Sequence, residues 1–202
     1  MLRMNICGKI ATFAKPQNVR GNCTTPKMKI KLSEYNPNWQ DIFLKEKTLL
    51  ENVLPLNCQI EHIGSTSVKD LCAKPIIDIL CGLDNFLAAD ELVDKIVALN
   101  YEYVEEYNLI IPERRYFRKT GEHCFHMHLV QNGGQFWERH ILFRDFLRKN
   151  EIIKNEYASL KRQLGQKDWI DGNEYAGAKT GFIKAIEERA KQEKKTTTPN
   201  RG

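Results

Sequence analysis

Two neighbouring stretches decide the fold: Glu61-His62-Ile63-Gly64-Ser65-Thr66-Ser67, and then Lys74-Pro75-Ile76-Ile77-Asp78-Ile79. The first predicts a strand that ends in a Gly-Ser turn, and the second predicts a strand that carries an acid. Backbone amides and a small hydroxyl in such a turn can approach a phosphate closely, because no bulky side chain intervenes. An aspartate on the adjacent strand can hold a divalent metal against that phosphate. The Walker spacing GxxxxGK[ST] is absent, so a P-loop is excluded.

The pattern outside these stretches alternates strands and helices and then becomes helical. Short apolar or alternating runs predict strands at residues 30–32, 58–64, 76–81, 101–105, 115–119 and 124–131. Helical periodicity predicts helices near residues 37–54, 86–99, 135–149, 151–165 and 171–190. We therefore expect an α+β fold: a nucleotidyltransferase-like mixed β-sheet with flanking helices and a helical C-terminal layer.

The positive charge of the chain lies at its two ends. The 202 residues include 31 Lys and Arg and 26 Asp and Glu, for a net charge of +5. Residues 1–27 carry +5 and residues 189–202 carry +4, so residues 28–188 carry −4. We expect basic, disordered tails at 1–27 and 189–202 around one domain at 28–188. Because the domain itself is mildly acidic, the charge does not predict a nucleic-acid partner.

Cysteine usage and hydropathy indicate the compartment. The six cysteines form no CxxC pair and no framework of short loops, which favours reduced thiols in a reducing compartment. No apolar stretch approaches the roughly 20 residues that span a bilayer. We expect a cytoplasmic protein with no membrane partner.

Six blocks of the sequence resemble, in order, those of the GrpB-like family, which is assigned to the nucleotidyltransferase superfamily. The blocks are HIGSTS, AKPIIDI, HMHLV, WERHILFRDFLR, EYASLKRQL and EYAGAKTGFI. The resemblance extends from about residue 29 to residue 186. It implies transfer of a nucleotidyl group from a nucleoside triphosphate to an unknown acceptor, with Asp78 and Ser65 as catalytic residues and a divalent metal (Mg, Mn or Zn) as cofactor. It also implies that Gly64, Ser65 and Thr66 bind the phosphates.

The sequence departs from the superfamily pattern at two of its three metal carboxylates. Leu80 stands where the second acid of Asp-x-Asp is expected, and the later strand offers His126 and His128 in place of a third acid. The Pro-Gly that usually follows the glycine turn is replaced by Lys69 and Asp70. We still expect the turn to form, because aspartate tolerates turn geometry.

Histidines supply an alternative metal site. His126 and His128 are two residues apart on a strand and therefore share a face, and His62 precedes Gly64 at the same parity. If the strands are neighbours, His62, Asp78, His126 and His128 converge on a divalent metal. The other interpretation is that these histidines are hydrogen-bonded core or surface residues, and both interpretations stay open here.

Basic residues near the turn are candidate phosphate ligands. Lys74 precedes Pro75 and Arg115 precedes two aromatics, so each fits a phosphate contact or an ordinary solvated position. Lys161, Tyr175 and Lys179 lie on the C-terminal helices, where packing between helices is the favoured role over closure of a cleft.

Three functions follow from these residues. The first is nucleotidyl transfer with a divalent metal. The second is a non-catalytic nucleotide-binding or accessory module linked to coenzyme A metabolism or protein folding, because GrpB-like domains also occur fused to dephospho-CoA kinase. The third is a metal-dependent hydrolase with Glu61 as its base. The expected partner of the protein is a nucleotide or another phosphate-bearing small molecule, and the sequence leaves a homodimer open.

Overall fold

The structure is a computed structural model that describes residues 27–197. Its central sheet has five strands: β2 (Gln59–Ile63), β3 (Ile76–Leu83), β4 (Glu102–Tyr103), β5 (Arg114–Lys119) and β6 (Cys124–Gln131). Their order is β2-β3-β6-β5-β4, in which β3 and β6 are parallel and every other neighbouring pair is antiparallel. A separate two-stranded sheet pairs β1 (Met28–Lys29) with β7 (Asp168–Trp169). The expected mixed α+β architecture is confirmed.

Six α-helices accompany the sheets within the described residues. They are α1 (Asn38–Glu51), α2 (Val93–Val97), α3 (Gln135–Lys149), α4 (Glu151–Gly165), α5 (Gly172–Gly177) and α6 (Thr180–Thr197). Short 3-10 helices occupy Ser65–Ser67, Phe86–Leu92 and Glu105–Leu109. The α1 helix begins one residue after its predicted start, and the Asn36 side chain accepts a hydrogen bond from the amide of Asn38 at 3.0 Å.

Each face of the central sheet buries a different core. On one face, Ile77, Ile79, Met127 and Leu129 pack with residues of α1, including Phe43. On the other face, a smaller cluster joins Ile63, Leu80 and Val130 to Phe136 of α3. The C-terminal helices form a third cluster, in which Leu71, Phe146, Tyr157 and Ile186 meet. Part of the second face is left uncovered by α3, and this part carries the candidate site.

Several predicted element boundaries are wrong. The strand predicted at residues 30–32 is absent: β1 lies before it, and Ser33 then forms an isolated bridge to Ala73. The predicted helix at 86–99 begins as a 3-10 helix, and the predicted helix at 171–190 is the two helices α5 and α6. These differences arise because two-residue pairings and short 3-10 turns have no sequence period long enough to detect.

The C-terminal boundary also differs from the prediction. Residues 189–197 were expected in a disordered tail but continue α6 to Thr197. The ion pair between Arg189 and Glu193, at 3.6 Å and four residues apart, is typical of an exposed helix. The tail predictions for residues 1–26 and 198–202 lie outside the described residues. Within 27–197, none of the helices has both the length and the apolar composition that crossing a bilayer requires.

Candidate functional site

The register of β3 and β6 brings an acid and a histidine together. Asp78 pairs with His126 across these parallel strands, and Leu80 pairs with His128. The Oδ1 atom of Asp78 lies 3.5 Å from Nδ1 of His126, and both side chains are about one-third exposed. The predicted convergence of Asp78 with the histidine strand is therefore present for His126.

Gly64 holds the turn against Asp78. Its φ of 69° and ψ of −173° lie in a region that essentially only glycine adopts. A Cβ atom at this position would overlap the Asp78 carboxylate. The Ser67 hydroxyl then donates to the Gly64 carbonyl at 2.7 Å, which closes the turn. Only a residue without a side chain allows this approach, which explains the glycine between β2 and the 3-10 helix at Ser65–Ser67.

The departure from Pro-Gly after the turn has little structural effect. Asp70 adopts a φ of 63°, the left-handed conformation that a glycine would take without cost. Aspartate is one of the few other residues that enter this region readily. The expectation that the turn forms with Asp70 is confirmed.

A cleft of about 810 Å³ opens beside the turn, between the sheet and the C-terminal helices. Ser65, Thr66 and Asp78 line it from the sheet side, and Tyr175 lines it from α5. Five basic residues line it, two of them on the same strand β5: Lys74, Arg114, Arg118, Lys161 and Lys179. Asp78 is the one carboxylate among the described lining residues, and Glu102 outside the lining pairs with Arg118 at 2.6 Å, so the cleft has a net positive charge.

Lys161 reaches from α4 to the turn itself. It is 2% exposed, and its Nζ atom donates to the Ser65 hydroxyl at 3.0 Å and to the Cys72 carbonyl. The ammonium also lies 4.6 Å from the centre of the Tyr157 ring. The pKa of Lys161 is lowered to about 7, chiefly by burial and with a smaller contribution from the charge of nearby Lys179, while Cys72 acts in the opposite direction. The sequence favoured helix packing for Lys161, whereas its amine contacts the predicted phosphate turn.

Lys74 and Lys179 share one aromatic platform. Their Nζ atoms lie 5.6 Å and 4.4 Å from the centre of the Tyr175 ring. Burial lowers the pKa of Lys179 to about 8, with a smaller contribution from the positive charge of Lys74. The structure therefore places Lys74 in the cleft, as its phosphate-binding interpretation requires.

Aromatic rings surround Arg114 in the cleft. The guanidinium of Arg114 lies 5.7 Å from the centre of the Tyr107 ring and 5.0 Å from that of Tyr116. Its Nη1 atom is 3.4 Å from Nδ1 of His128, whose pKa is well below its usual range because of burial and the positive field around it. Tyr107 was missed by the sequence reasoning, since it lies in a 3-10 helix that no periodic pattern marks.

His62 does not join Asp78, and that prediction is wrong. It pairs with Ile79 in the register of β2 and β3, so it points to the opposite face of the sheet from Asp78. Its ring stacks on Phe43 at 4.7 Å, and its nitrogens lie 3.3 Å from Gln40 Oε1 and 3.0 Å from Thr66 Oγ1. Burial lowers the pKa of His62 to about 4. Parity along one strand did not fix the face, because it carries no information about the register with the next strand.

Arg115 also lies on the opposite face, so its predicted phosphate contact is wrong. It pairs with Leu129 in the sheet, and its Nε and Nη2 atoms bind the two oxygens of Asp90 at 2.5 Å and 3.0 Å. The pKa of Asp90 is lowered by this hydrogen-bonded pair. Because side chains alternate along β5, Arg114 takes the place in the cleft that the sequence analysis gave to Arg115.

Arg144 engages Glu61 away from the cleft. The Arg144 guanidinium donates to Glu61 Oε2 at 2.5 Å, to the His62 carbonyl at 3.1 Å and to Asp145 at 2.8 Å. Arg144 therefore forms ion pairs with both Asp145 and Glu61. Arg148 supports the same region by donating to the Ser67 carbonyl at 2.8 Å. Glu61 is therefore held by a cation outside the cleft lining, which does not favour its assignment as a catalytic base.

Two of the predicted metal ligands, Asp78 and His126, lie side by side in the structure. No group of three or more His, Cys, Asp or Glu side chains within 27–197 is arranged to hold a metal ion. Asp78 and His126 remain as two donors facing the cleft. Mg²⁺ is commonly held by one or two protein carboxylates together with water and substrate phosphates, so this pair fits an ion that arrives with a phosphate.

The sequence matches the GrpB protein family over residues 29–189. The chain belongs to the GrpB family. The crystal structure of the conserved protein GrpB from Enterococcus faecalis is 39% identical and has a TM-score of 0.72 over 81% of this chain and 98% of that chain. The family resemblance identified from the six sequence blocks is confirmed.

Curated relatives of this GrpB chain differ in length. UPF0157 protein YqkA of Bacillus subtilis is 40% identical over 172 residues, which are 84% of this chain and half of YqkA. The glutamate-rich protein GrpB of Alkalihalophilus pseudofirmus is 32% identical over 77% of this chain and 92% of its own length. A dephospho-CoA kinase of Mycolicibacterium paratuberculosis is 24% identical over 65% of this chain and 38% of the kinase.

Proposed function

We propose that this GrpB-family protein binds a nucleotide or another phosphate-bearing small molecule in the cleft between the sheet and the C-terminal helices. The observation that carries the proposal is the convergence of five basic side chains with Ser65 and Thr66 of the turn on one cleft, where Asp78 is the one carboxylate among the described lining residues. Basic side chains and a glycine turn are the groups that proteins commonly use to bind phosphates.

The lowered pKa values of Lys161 and Lys179 support an anionic ligand. Lys161 and Lys179 are held where burial disfavours their charged forms, so each pays a desolvation cost in the unliganded protein. A phosphate placed between them would restore favourable electrostatics for both ammonium groups. Because such positions destabilise a fold, a binding role is a physical reason for their presence.

The cleft offers different contacts to the two parts of a nucleotide. Lys161 contacts the turn, and Lys74 and Lys179 lie over the Tyr175 ring. Arg114 lies against the rings of Tyr107 and Tyr116 in the same cleft. Phosphates would bind the lysines, and a planar base would stack on an aromatic ring and the guanidinium plane.

Nucleotidyl transfer is the activity that this arrangement fits best. Asp78 and His126 would hold a divalent metal, and such an ion supplies charge stabilisation at phosphoryl oxygens. Lys74 and Lys179 would neutralise charge that develops on the departing phosphates. Leu80 opposite His128 leaves no second acid beside Asp78 on β3, so one metal rather than two is proposed.

A non-catalytic accessory role is the second candidate. The similarity to part of a dephospho-CoA kinase favours it, because that relative combines a related segment with a much longer chain. On this proposal the cleft would bind a coenzyme A precursor or a nucleotide without turnover. The two proposals share the same phosphate chemistry and differ in whether product is released.

Calorimetry tests the binding proposal. The purified protein is titrated with each nucleoside triphosphate and with dephospho-CoA, with and without Mg²⁺, Mn²⁺ or Zn²⁺. Lys179→Met should weaken binding about tenfold or more, because a hydrogen bond to a charged group is worth about 1.5–3 kcal/mol. Lys45→Met is the matched control, since Lys45 is an exposed lysine on α1 on the other side of the sheet. If wild type binds none of these ligands, the proposal is wrong.

Turnover separates the two candidates. Asp78→Asn keeps the shape of the side chain but weakens its metal binding, so it should abolish the metal-dependent part of the affinity. Sustained release of pyrophosphate from a triphosphate by wild type, lost in Asp78→Asn, would support nucleotidyl transfer. Binding of dephospho-CoA or a nucleotide without any product would support the accessory role.

A further inference from the structure

A serine and a buried lysine form a pair inside the cleft. The Nζ atom of Lys161 lies 3.0 Å from the Ser65 hydroxyl oxygen, and both residues line the cleft. The serine is partly exposed to the cleft, whereas the lysine is 2% exposed and lies behind it. This geometry places a hydroxyl where a ligand reaches it and an amine directly behind that hydroxyl.

The second hydrogen bond of Lys161 orients its amine. Nζ also donates to the Cys72 carbonyl, which is a neutral acceptor. When the amine is uncharged, one N–H still points at this carbonyl and the lone pair is free to accept the Ser65 proton. A lysine held in this way acts as a general base toward a neighbouring hydroxyl.

Burial and two neighbouring cations favour the uncharged form of Lys161, whereas Cys72 opposes them. Tyr157 and Arg162 come from its own helix, Cys72 from the loop after the turn and Lys179 from the start of the last helical segment. Two of these four carry positive charge, and none is a carboxylate. Burial has the largest effect, Lys179 and Arg162 add to it and Cys72 counteracts it. The resulting pKa of Lys161 is about 7, which allows it to accept a proton near neutral pH.

We propose that Ser65 is a nucleophile toward phosphorus and that Lys161 is its general base, so that the cleft forms a covalent phosphoserine-type intermediate. This inference rests on the proposed function only in that the substrate is a phosphate ester or anhydride. The inference goes beyond the proposed function because the phosphorus-containing group is first transferred to Ser65 rather than directly to an acceptor.

A phosphoanhydride substrate would react in two displacements. The Ser65 oxygen forms a bond to phosphorus as the bond between phosphorus and the bridging oxygen breaks. The Ser65 proton passes to Nζ of Lys161, and the displaced phosphate leaves as an anion stabilised by Lys74 and Lys179. A water or acceptor hydroxyl then attacks the phosphorus as the bond to the Ser65 oxygen breaks. The proton on Lys161 returns to the serine oxygen, and the attacking hydroxyl releases its own proton to the solvent.

A fluorophosphonate tests the pair without any natural substrate. It reacts by the same chemistry: the serine oxygen bonds to phosphorus, fluoride leaves and the serine proton goes to the base. The purified full chain is incubated with the probe, and the modified residue is identified by mass spectrometry of its peptides. We expect modification of Ser65, with a rate that rises with pH through about 7 as Lys161 loses its proton.

Variants distinguish a base from a packing residue. Lys161→Met should slow the modification of Ser65 about 100-fold or more, the usual contribution of a general base. Lys161→Arg should be equally slow, because arginine keeps the charge but cannot lose its proton. Ser159→Ala is the matched control, since Ser159 is an exposed serine on the same helix and should leave the rate unchanged. Circular dichroism melts identify any variant that fails to fold.

Two results would overturn the inference independently of the calorimetry. One is modification of Ser65 in the folded wild type no faster than that of exposed serines such as Ser159. The other is a folded Lys161→Arg variant that reacts as fast as wild type. Because the probe needs no nucleotide, reactive Ser65 in a protein that binds no nucleotide would refute the proposed ligand and retain the nucleophile.

Discussion

Replacing Lys161 by methionine should change how the stability of the protein depends on pH. In the unfolded chain this lysine titrates at its ordinary value of 10.5, whereas burial lowers its pKa in the folded protein to about 7. Between these values the unfolded chain binds a proton that the folded protein does not bind. The free energy of unfolding of wild type therefore rises as the pH increases from 7 toward 10.5.

The size of this effect follows from the shift. One pH unit corresponds to about 1.4 kcal/mol for one proton, so raising the pH from 7 to 10 should add about 4 kcal/mol to the stability of wild type through this residue. Methionine has a similar length and no proton to lose. Lys161→Met should therefore lack this contribution, although it also loses the hydrogen bonds to Ser65 and to the Cys72 carbonyl.

Urea denaturation followed by circular dichroism at pH 7, 8, 9 and 10 measures the effect. We expect the stability of wild type relative to Lys161→Met to increase by several kcal/mol across this range. Lys45→Met on the exposed surface of α1 should run parallel to wild type. Parallel profiles for wild type and Lys161→Met would refute the reasoning, because they would mean that Lys161 keeps its ordinary pKa in the folded protein.

Three further predictions concern other parts of the site. Gly64→Ala should lower the free energy of unfolding by about 1–3 kcal/mol through backbone strain, and by more because the added Cβ atom overlaps the Asp78 carboxylate. Urea denaturation should show a smaller loss of stability for Gly133→Ala, because Gly133 has a similar φ but open space around it. The free energy of unfolding should fall as the pH drops from 6.5 to about 4, because His62 is then protonated in the unfolded chain but not in the folded protein. Thermal melts of a His62→Gln variant with the same acid sensitivity as wild type would contradict this. Arg144→Ala should lower the free energy of unfolding by about 1–3 kcal/mol, since it removes three hydrogen bonds and leaves Glu61 without its cation. An unchanged midpoint in thermal or urea unfolding would count against a stabilising role of Arg144.

The sequence predicts the main elements of the fold because their patterns are local. The strand before Gly64, the acid-bearing strand and the hairpin that ends at residue 131 each have apolar runs bounded by turn residues, and all three are present. The helices at 135–149 and 151–165 also match their predicted bounds. The two-residue strands β1 and β7 were missed or misplaced, because their pairing is decided by contacts 140 residues apart in the chain.

The candidate site was predicted in part, and its errors have one physical cause. Gly64, Ser65 and Asp78 lie together because the turn and the next strand are close in sequence. His62 and Arg115 were assigned to the wrong face, because a strand's alternation gives two faces but not which one meets the neighbouring acid. That choice depends on inter-strand register, which a single sequence does not determine.

Residues from the C-terminal helices could not be placed from their pattern. The helical periodicity of residues 156–164 is the same whether Lys161 packs between helices or reaches a distant turn. The Lys161 amine crosses 96 residues of sequence to contact Ser65, and such a contact requires the relative position of two layers. Their packing is set by many apolar contacts, so no short motif marks the outcome.

The cleft is assembled from both halves of the chain, and this division has a consequence for dynamics. The sheet provides the turn and Asp78, while α4 and α5 provide Lys161 and Tyr175. A ligand that contacts both sides would be lost whenever the C-terminal helices detach, so its binding energy would oppose that partial unfolding. Amide hydrogen exchange in α4 and α5 should therefore slow when the ligand binds, which would make these helices a reporter of occupancy.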